Sequence, residues 1–198
     1  MKKFDILITG VGGQGIILAS DIIGEAAIAA GYDVKKTDTL GMAQRGGSVV
    51  SHVRIAEKVF SPLIKKGEVD ILLAFEKLEA ARWAHYLKPG GTAIVNNRAL
   101  PPLSVSLGTD HYPVDEEVLS ILKSRTDHIH LVEGTKQVAA LGNVRTLNMF
   151  MLGCASALLP LKVETWKNEI TLHLPVKIQQ INLDAFYAGR KELANVCR

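Results

Sequence analysis

The sequence predicts an α/β protein, a three-layer α/β/α sandwich around a mostly parallel sheet, with an inserted β-hairpin and helices closing the chain. Three observations predict it. Apolar, β-rich runs alternate with segments of helical spacing over the first two thirds of the chain. From Thr135 onward the pattern is helical throughout. Between the first apolar run and the first helix stands "GVGGQG", a glycine turn of the kind that links strand to helix in such sheets.

Each element has its own local reason. Phe4 to Thr9 is apolar enough for a first strand. Across Gly13–Ala30, Ile16, Ile17, Ala19, Ile23, Ala26, Ala27 and Ala30 recur at helical spacing, and Gly31 closes the helix. Tyr32–Thr37 is a second strand, so this β–turn–α–β unit predicts a right-handed crossover between adjacent parallel strands. Val49, Val53 and Ile55 alternate within a strand at Gly47–Ala56, with Glu57-Lys58 as a hairpin turn and a return arm ending at Pro62. The continuous apolar run Ile71–Phe75 is a buried strand. "EKLEAARWAHYLKPGG" is an amphipathic helix stopped by Pro89-Gly90-Gly91, and "TAIVNN" is the next strand. Arg98–Pro113 is irregular, with a short strand at Leu103–Leu107. Asp115 caps a helix over Glu116–Ser124, and "HIHLVEG" is the last strand. Four helices follow at Thr135–Leu141, Val144–Leu159, Val163–Leu172 and Ile178–Leu193. One domain covers 1–198, its helical part beginning near 135.

Bulk properties exclude several function classes. The 198 residues are 47% hydrophobic and 22% charged, which suits a soluble domain with a sizeable core. The net charge is only +3 and no Lys/Arg block stands out, so nucleic-acid binding is not expected. No apolar stretch approaches the roughly 18 residues of a membrane span. Asp5 breaks the run that would make "MKKFDILITG" a signal peptide. The two cysteines, Cys154 and Cys197, imply no disulfide framework and fit a reducing cytoplasm. They form no C-x-x-C, so neither an iron–sulfur cluster nor a usual structural zinc is expected on this chain.

Gly10-Val11-Gly12-Gly13-Gln14-Gly15 is a literal G-x-G-x-x-G. Its glycines permit a tight turn, and the helix N-terminus behind it favours anions. Asp38 stands near the place of a ribose-binding acid, so a dinucleotide, another phosphate or partner contact, and a structural turn all remain open. Gln14 weighs against the nicotinamide reading, and so does a second glycine stretch, Gly41-Met42-Ala43-Gln44-Arg45-Gly46-Gly47. Glycines beside Arg45 let its guanidinium approach a carboxylate or phosphate without crowding. The two turns share one rim of the sheet if the first two strands are adjacent and parallel. Asn143, Arg145 and Asn148 open the long apolar helix, with Asn143 as N-cap and the other two able to face the glycine turns.

Other polar residues carry less. His52 is expected in a structural or exposed role. His128 and His130 share a strand face but lack a third ligand nearby. Ser48 and Ser51 lack the elbow of a hydrolase. "TLNMFMLGCASALL" is apolar almost all round, so it is a core helix or one covered by a partner, and the free chain is a candidate homodimer.

"GVGGQGI", "GMAQRGGSVVSHVRI" with "SPLI", and "VDILLAFEKLEA" resemble the gamma subunit or domain of the 2-oxoacid:ferredoxin oxidoreductases. "LGNVRTLNMFMLG" (Leu141–Gly153) and "INLDAFYAGR" (Ile181–Arg190) extend the resemblance nearly end to end. Met42-Ala43-Gln44 departs from the pyruvate type and points to an arylpyruvate or an uncharacterised branch, while the family member most resembled is of the indolepyruvate kind. The resemblance implies a complex that oxidatively decarboxylates a 2-oxo acid, passes electrons to ferredoxin and yields an acyl-CoA. It implies thiamine diphosphate with Mg2+, 4Fe–4S clusters and coenzyme A as the cofactors of that complex. This sequence lacks the cysteines, and also a Gly-Asp-Gly…Asn-Asn thiamine–magnesium pattern. The resemblance therefore implies a cytoplasmic subunit inactive alone, docked on a large thiamine and iron–sulfur catalytic subunit near the entrance for substrate or CoA. On that reading no residue here is catalytic and Asp38 caps a loop. Gly10, Gly12, Gly13, Gln14 and Gly15, with Arg45, Gly46 and Gly47 and with Asn143, Arg145 and Asn148, cradle an anionic group such as a CoA phosphate or touch the partner. A free-standing NAD(P)- or flavin-binding reductase and a ligand-free assembly scaffold are the competing classes.

Overall fold

A computed structural model describes residues 3–40 and 46–196. The strands are β1 (Phe4–Val11), β2 (Asp33–Leu40), β3 (Ser48–Ala56), β4 (Val69–Ala74), β5 (Leu87–Asn96) and β6 (His128–Val132). They form one mixed sheet in the order β2-β3-β1-β4-β5-β6. The helices are α1 (Ile16–Ala29), α2 (Lys77–Trp83), α3 (Leu103–Ser106), α4 (Asp115–Lys123), α5 (Gly134–Ala140), α6 (Leu147–Ser156), α7 (Val163–His173) and α8 (Val176–Val196).

Two cores sandwich the sheet. Ile6, Ile8, Leu73 and Ile94 pack with α1, α6, α7 and α8 on one face, while Leu7, Leu72, Ala93 and Val95 pack with α2 and α4 on the other. Successive strand residues face opposite ways, so strands buried on both sides read as unbroken apolar runs. The three-layer expectation is borne out.

The expected adjacency of the first two strands is not. β3 lies between β1 and β2 and runs antiparallel to both, with Val11 opposite Ser48 and Leu40 opposite Val49. Side-chain content decides the order. β3 is buried through Val49–Val53, whereas β2, "DVKKTDTL", is nowhere fully buried. A strand buried on both faces takes the interior slot, and the charged, half-buried one takes the edge, where it also blunts edge-to-edge pairing. The inserted hairpin is therefore β2–β3. Glu57-Lys58 and the arm ending at Pro62, expected as a hairpin turn and return strand after β3, form with residues 63–64 a strap outside the sheet.

Further differences are local. Helix α2 stops at Trp83, and after one 3-10 turn β5 begins at Leu87, so Pro89-Gly90-Gly91 lies inside a strand. The ladder tolerates it because the register jumps there, from Val69 opposite Leu87 to Ile71 opposite Thr92. Leu103–Ser106 is a helical turn after Pro102, not a strand: its backbone bonds close locally, and Leu103 and Leu107 stay exposed. Asp115 is the first residue of α4 and not its cap. Its carboxylate pairs with Lys77, and Glu117 accepts from the Val114 N–H. The apolar segment begins with a 3-10 turn at Val144–Thr146 before α6.

Every residue of α6 is buried within this chain. The closest approach is to α8: a Cβ on Gly153 would stand 2.0 Å from the Phe186 carbonyl oxygen, and one on Gly189 1.9 Å from that of Phe150. Helix α6 thus exposes no patch for self-association, and the sequence-level reason for a homodimer falls away.

The strap 57–64 is pinned. Arg54 donates to Asp5 through Nε (3.0 Å) and Nη2 (3.3 Å) and to the Ser61 and Leu63 carbonyls through Nη1. Val59 N–H donates to Asp33 (2.8 Å), and Ile64 N–H to Nδ1 of the buried His52 (3.3 Å). An acceptor Nδ1 requires the neutral ring, and burial, with the Arg54 charge second, lowers the His52 pKa. The unfolded chain takes up this proton near the ordinary value of 6.5 while the folded one resists it. Stability is thus intact above that pH and falls as the pH drops below it; burial, with the His128 charge second, depresses His130 and adds in the same sense. His52→Asn, which keeps an acceptor without a titrating ring, should flatten the loss in urea midpoint measured between about pH 7.5 and about pH 5.5.

Candidate functional site

The first glycine turn leaves β1 at the junction where the chain changes face. Helix α1, following β1, covers one side of the sheet; α2, following the neighbouring β4, covers the other. Open α/β sheets bind ligands beyond the carboxyl ends of their strands at such a switch point. Gly10 has no room for a side chain: a Cβ would meet Phe75 Cβ at 2.8 Å and Gln14 Oε1 at 2.6 Å. Gly13 and Gly15 have φ of +102° and +77°, and Gly15 is the residue from which α1 starts. The unpaired N–H groups of that first helical turn open toward the rim.

Gln14 is a clamp. Its Oε1 accepts from the Val11 N–H (2.7 Å), and its Nε2 donates to the Phe75 carbonyl (3.1 Å). The same carbonyl accepts from buried Asn96 Nδ2 (3.1 Å), which also reaches Thr135 at the start of α5. This polar chain ties the ends of β1, β4 and β5 together. Both functional groups of Gln14 are engaged, so it holds the turn and leaves ligand contacts to its neighbours.

The second glycine stretch meets the first. Gly12 N–H donates to the Gly47 carbonyl (2.8 Å), and Gly46 N–H to the Gly12 carbonyl (3.4 Å). Both turns occupy one rim, through the β3 insertion and not through adjacent β1 and β2. Arg45, with 41–44, lies outside the described residues. Below the turns, Ser48 Oγ donates to Glu79 (2.5 Å), Thr9 Oγ1 to the same oxygen (3.5 Å), and Arg82 pairs with its other oxygen. Glu79 is 3% exposed. Buried Glu76 caps α2, accepting from Glu79 N–H, Leu100 N–H and the Tyr112 hydroxyl. Burial and the Glu76 carboxylate push the Tyr112 hydroxyl well above its ordinary pKa.

Asn143, Arg145 and Asn148 come together beside α1. Asn143 caps its turn as expected, accepting from the Arg145 N–H (3.0 Å). The three share a cavity of about 230 Å3 with Leu18, Leu174 and Asn182. Asn148 is 5% exposed and lies directly against Gly15, where a Cβ would stand 2.7 Å from its Nδ2. Its Oδ1 accepts from Met149 N–H, while Nδ2 has no acceptor among the described residues. Arg145 is exposed and has no ion-pair partner among the described residues. Asn148 thus stands between the start of α1 and the cavity that Arg145 lines, and a buried amide donor beside a helix N-terminus suits a phosphate or carboxylate.

Other candidates have structural employment. Asp38 caps no loop and is not free for a ribose: it lies within β2, accepting from Ser51 Oγ (2.5 Å) and pairing with Lys36 (2.9 Å). Ser48 and Ser51 are both donors to carboxylates. Among the described residues no group of three His, Cys, Asp or Glu is placed to hold a metal, His128 and His130 included. Sequence reasoning missed Glu76, Glu79 and Asn96. The two glutamates sit at i and i+3 in "FEKLEA", a spacing that reads as the solvated face of a helix, and only the sheet beneath them turns that face inward.

Comparison with known proteins adds a separate line. The family model for pyruvate ferredoxin/flavodoxin oxidoreductase matches residues 5–192. The indolepyruvate oxidoreductase subunit IorB of Pyrococcus horikoshii is 39% identical, the match covering 99% of this chain and 100% of that one. The keto/oxoacid ferredoxin oxidoreductase gamma subunit of Geobacter sulfurreducens has the same fold (TM-score 0.72, 24% identity, 97% of this chain and 99% of that one). So does part of a 2-oxoglutarate:ferredoxin oxidoreductase from Magnetococcus marinus, solved with 2-oxoglutarate, coenzyme A and succinyl-CoA bound (TM-score 0.75, 21% identity, 98% of this chain, 32% of that one).

Replacing Gln14 tests the clamp. Gln14→Leu leaves the Val11 N–H without its acceptor and removes one of two donors from the Phe75 carbonyl, and should cost about 2 kcal/mol in chemical unfolding. Unchanged stability would mean that the turn is held by its main chain alone.

Proposed function

The chain belongs to the pyruvate ferredoxin/flavodoxin oxidoreductase family, and on that premise we propose that it is the gamma-type subunit of a 2-oxoacid:ferredoxin oxidoreductase acting on an arylpyruvate of the indolepyruvate kind. The full-length similarity to an indolepyruvate oxidoreductase subunit supports the substrate class. The matched span, 5–192, supports reading 1–198 as one gamma-type unit. A cytoplasmic setting goes with this reading; among the described residues no helix is long and apolar enough to cross a membrane.

The observation that carries the proposal is the rim: two mutually bonded glycine turns, Asn148 against Gly15, and Arg145 without a counter-ion. In the assembled enzyme this place takes an anionic end of coenzyme A, with Arg145 supplying charge, Asn148 an amide donor and the start of α1 its free N–H groups. Exposed Leu40, at the end of β2 opposite Val49 of β3, stands at the same end of the sheet and suits contact with the large catalytic subunit.

Thiamine diphosphate with Mg2+ supplies the decarboxylating chemistry of such a complex, and 4Fe–4S clusters its electron transfer to ferredoxin. This chain's residues do not fit either group. A 4Fe–4S cluster takes four thiolates, and the sequence has two cysteines. Burial pushes the Cys154 thiol far above its usual pKa, the opposite of what a metal ligand needs. Both groups are accordingly assigned to the large subunit. The nicotinamide alternative has no support in the geometry, since Asp38 is occupied by Ser51 and Lys36.

In the complex reconstituted from this chain and its large subunit, Arg145→Ala should raise KM for coenzyme A roughly tenfold, the loss of one charge-assisted contact. KM for the arylpyruvate should stay within about twofold of the parent. An unchanged KM for coenzyme A would remove Arg145 from the site.

A further inference from the structure

At the opposite end of the sheet from the glycine turns, the strap 57–64 presents Phe60 at 90% and Leu63 at 59% exposure. The two ends are separated by the length of β1, roughly 25 Å for eight residues. An exposed phenylalanine on a loosely held loop means little. This strap is held by the Asp33, Arg54 and His52 bonds described above, and its own Val59 and Ile64 are buried as anchors. The aromatic ring is thus displayed from a fixed support, the preorganised arrangement that makes an interface anchor.

The strap's surroundings state the chemistry of what it meets. Its base rests on His52, whose ring touches Tyr86 (centroids 5.7 Å), and Tyr86 in turn touches Trp83 (5.4 Å). Lys66, Arg82, Trp83, His85 and Tyr86 line a cavity of about 250 Å3 on one side, and Lys3, Arg54, Lys58 and Phe60 line one of about 220 Å3 on the other. Trp83 Nε1 is buried without an acceptor among the described residues. Lys58 pairs with Asp33 and Arg82 with Glu79, but Lys65 and Lys66 have no ion-pair partner among the described residues. The acids around the strap are Asp5, Asp33, Glu57, Glu68 and Asp70; Asp5 is engaged by Lys3 and Arg54, Asp33 by Lys35 and Lys58, and Asp70 by Lys88.

We infer that the Phe60 strap, with Lys65 and Lys66 beside it, is a second docking surface, taking an acidic segment of the large catalytic subunit that carries an apolar residue. The inference rests on the subunit reading above. Phe60 and Leu63 supply the apolar anchor, the two lysines the charge complementarity, and the flanking cavities room for partner side chains. The large subunit then grips both ends of the sheet.

The test is assembly of the full chain with its large subunit, using Phe60→Ser and the double variant Lys65→Glu/Lys66→Glu. All three positions are remote from the glycine rim, and thermal unfolding of the isolated chain should be unchanged. Each variant should raise Kd about tenfold or more, and the charge variant should also flatten the dependence of Kd on salt. In the wild-type complex, Lys65 and Lys66 should be protected from acetylation. Parent-like affinity in both variants, or full acetylation of both lysines in the complex, overturns the inference while leaving the subunit reading intact. Failure of the wild-type chain to assemble overturns both. If Phe60→Ser instead converts a dimer of the isolated chain into a monomer, the occupant is a second copy and the inference is wrong.

Discussion

The two hydrogen bonds between Gly12 and the Gly46–Gly47 segment are the constraint on which the functional rim depends. They join a turn that follows β1 to one that precedes β3, two segments separated in sequence by the whole of α1 and β2. Gly46 has a φ of +80°, the left-handed region that favours glycine. The Gln14 clamp then fixes the joined turns to β4, and Asn96 carries the same polar chain to β5 and α5. The rim is consequently a main-chain surface whose polarity comes from N–H groups, with the buried Asn148 amide set against Gly15.

That construction explains how a chain of this family can serve a redox enzyme as a positioning surface. A positioning surface needs donors held in place before the ligand arrives, since each group ordered at binding would cost affinity. Glu79 contributes in the same way from below. Its buried carboxylate holds Ser48, the first residue beyond the glycines, and is itself neutralised by Arg82. Removal of any single member of such a buried polar chain leaves another group unsatisfied, so the rim behaves as one unit. The pinned strap applies the same principle at the other end of the sheet, with Arg54 and Asp5 in the roles that Gln14 and Glu79 take at the rim.

Much of this architecture was legible in the amino-acid pattern. Strands β1 and β4 declare themselves by the apolar runs Ile6–Ile8 and Ile71–Ala74, and α1, α5, α7 and α8 as periodic segments, the first closed by Gly31. Strand order was less so. The rule that β–α–β units make neighbouring parallel strands holds in the absence of an intruder, and the burial of β3 on both faces overrode it. Leu103–Leu107 alternates like a strand, but it joins neither edge of the sheet, and its backbone bonds close locally in a helical turn after Pro102. At the site, the spacing of glycines and of Asn143, Arg145 and Asn148 located the right region. The roles of Gln14, Asp38 and Glu79 depend on which strand ends meet across the sheet, and no local pattern carries that information.

Amide hydrogen exchange on the assembled complex, with and without coenzyme A, tests the central claim most directly. Two bonded glycine turns that serve another polypeptide should show protection of Gly12, Gly46–Ser48 and the first turn of α1 on assembly, deepening when coenzyme A is added. Exchange at those amides indifferent to both the large subunit and coenzyme A would contradict the account.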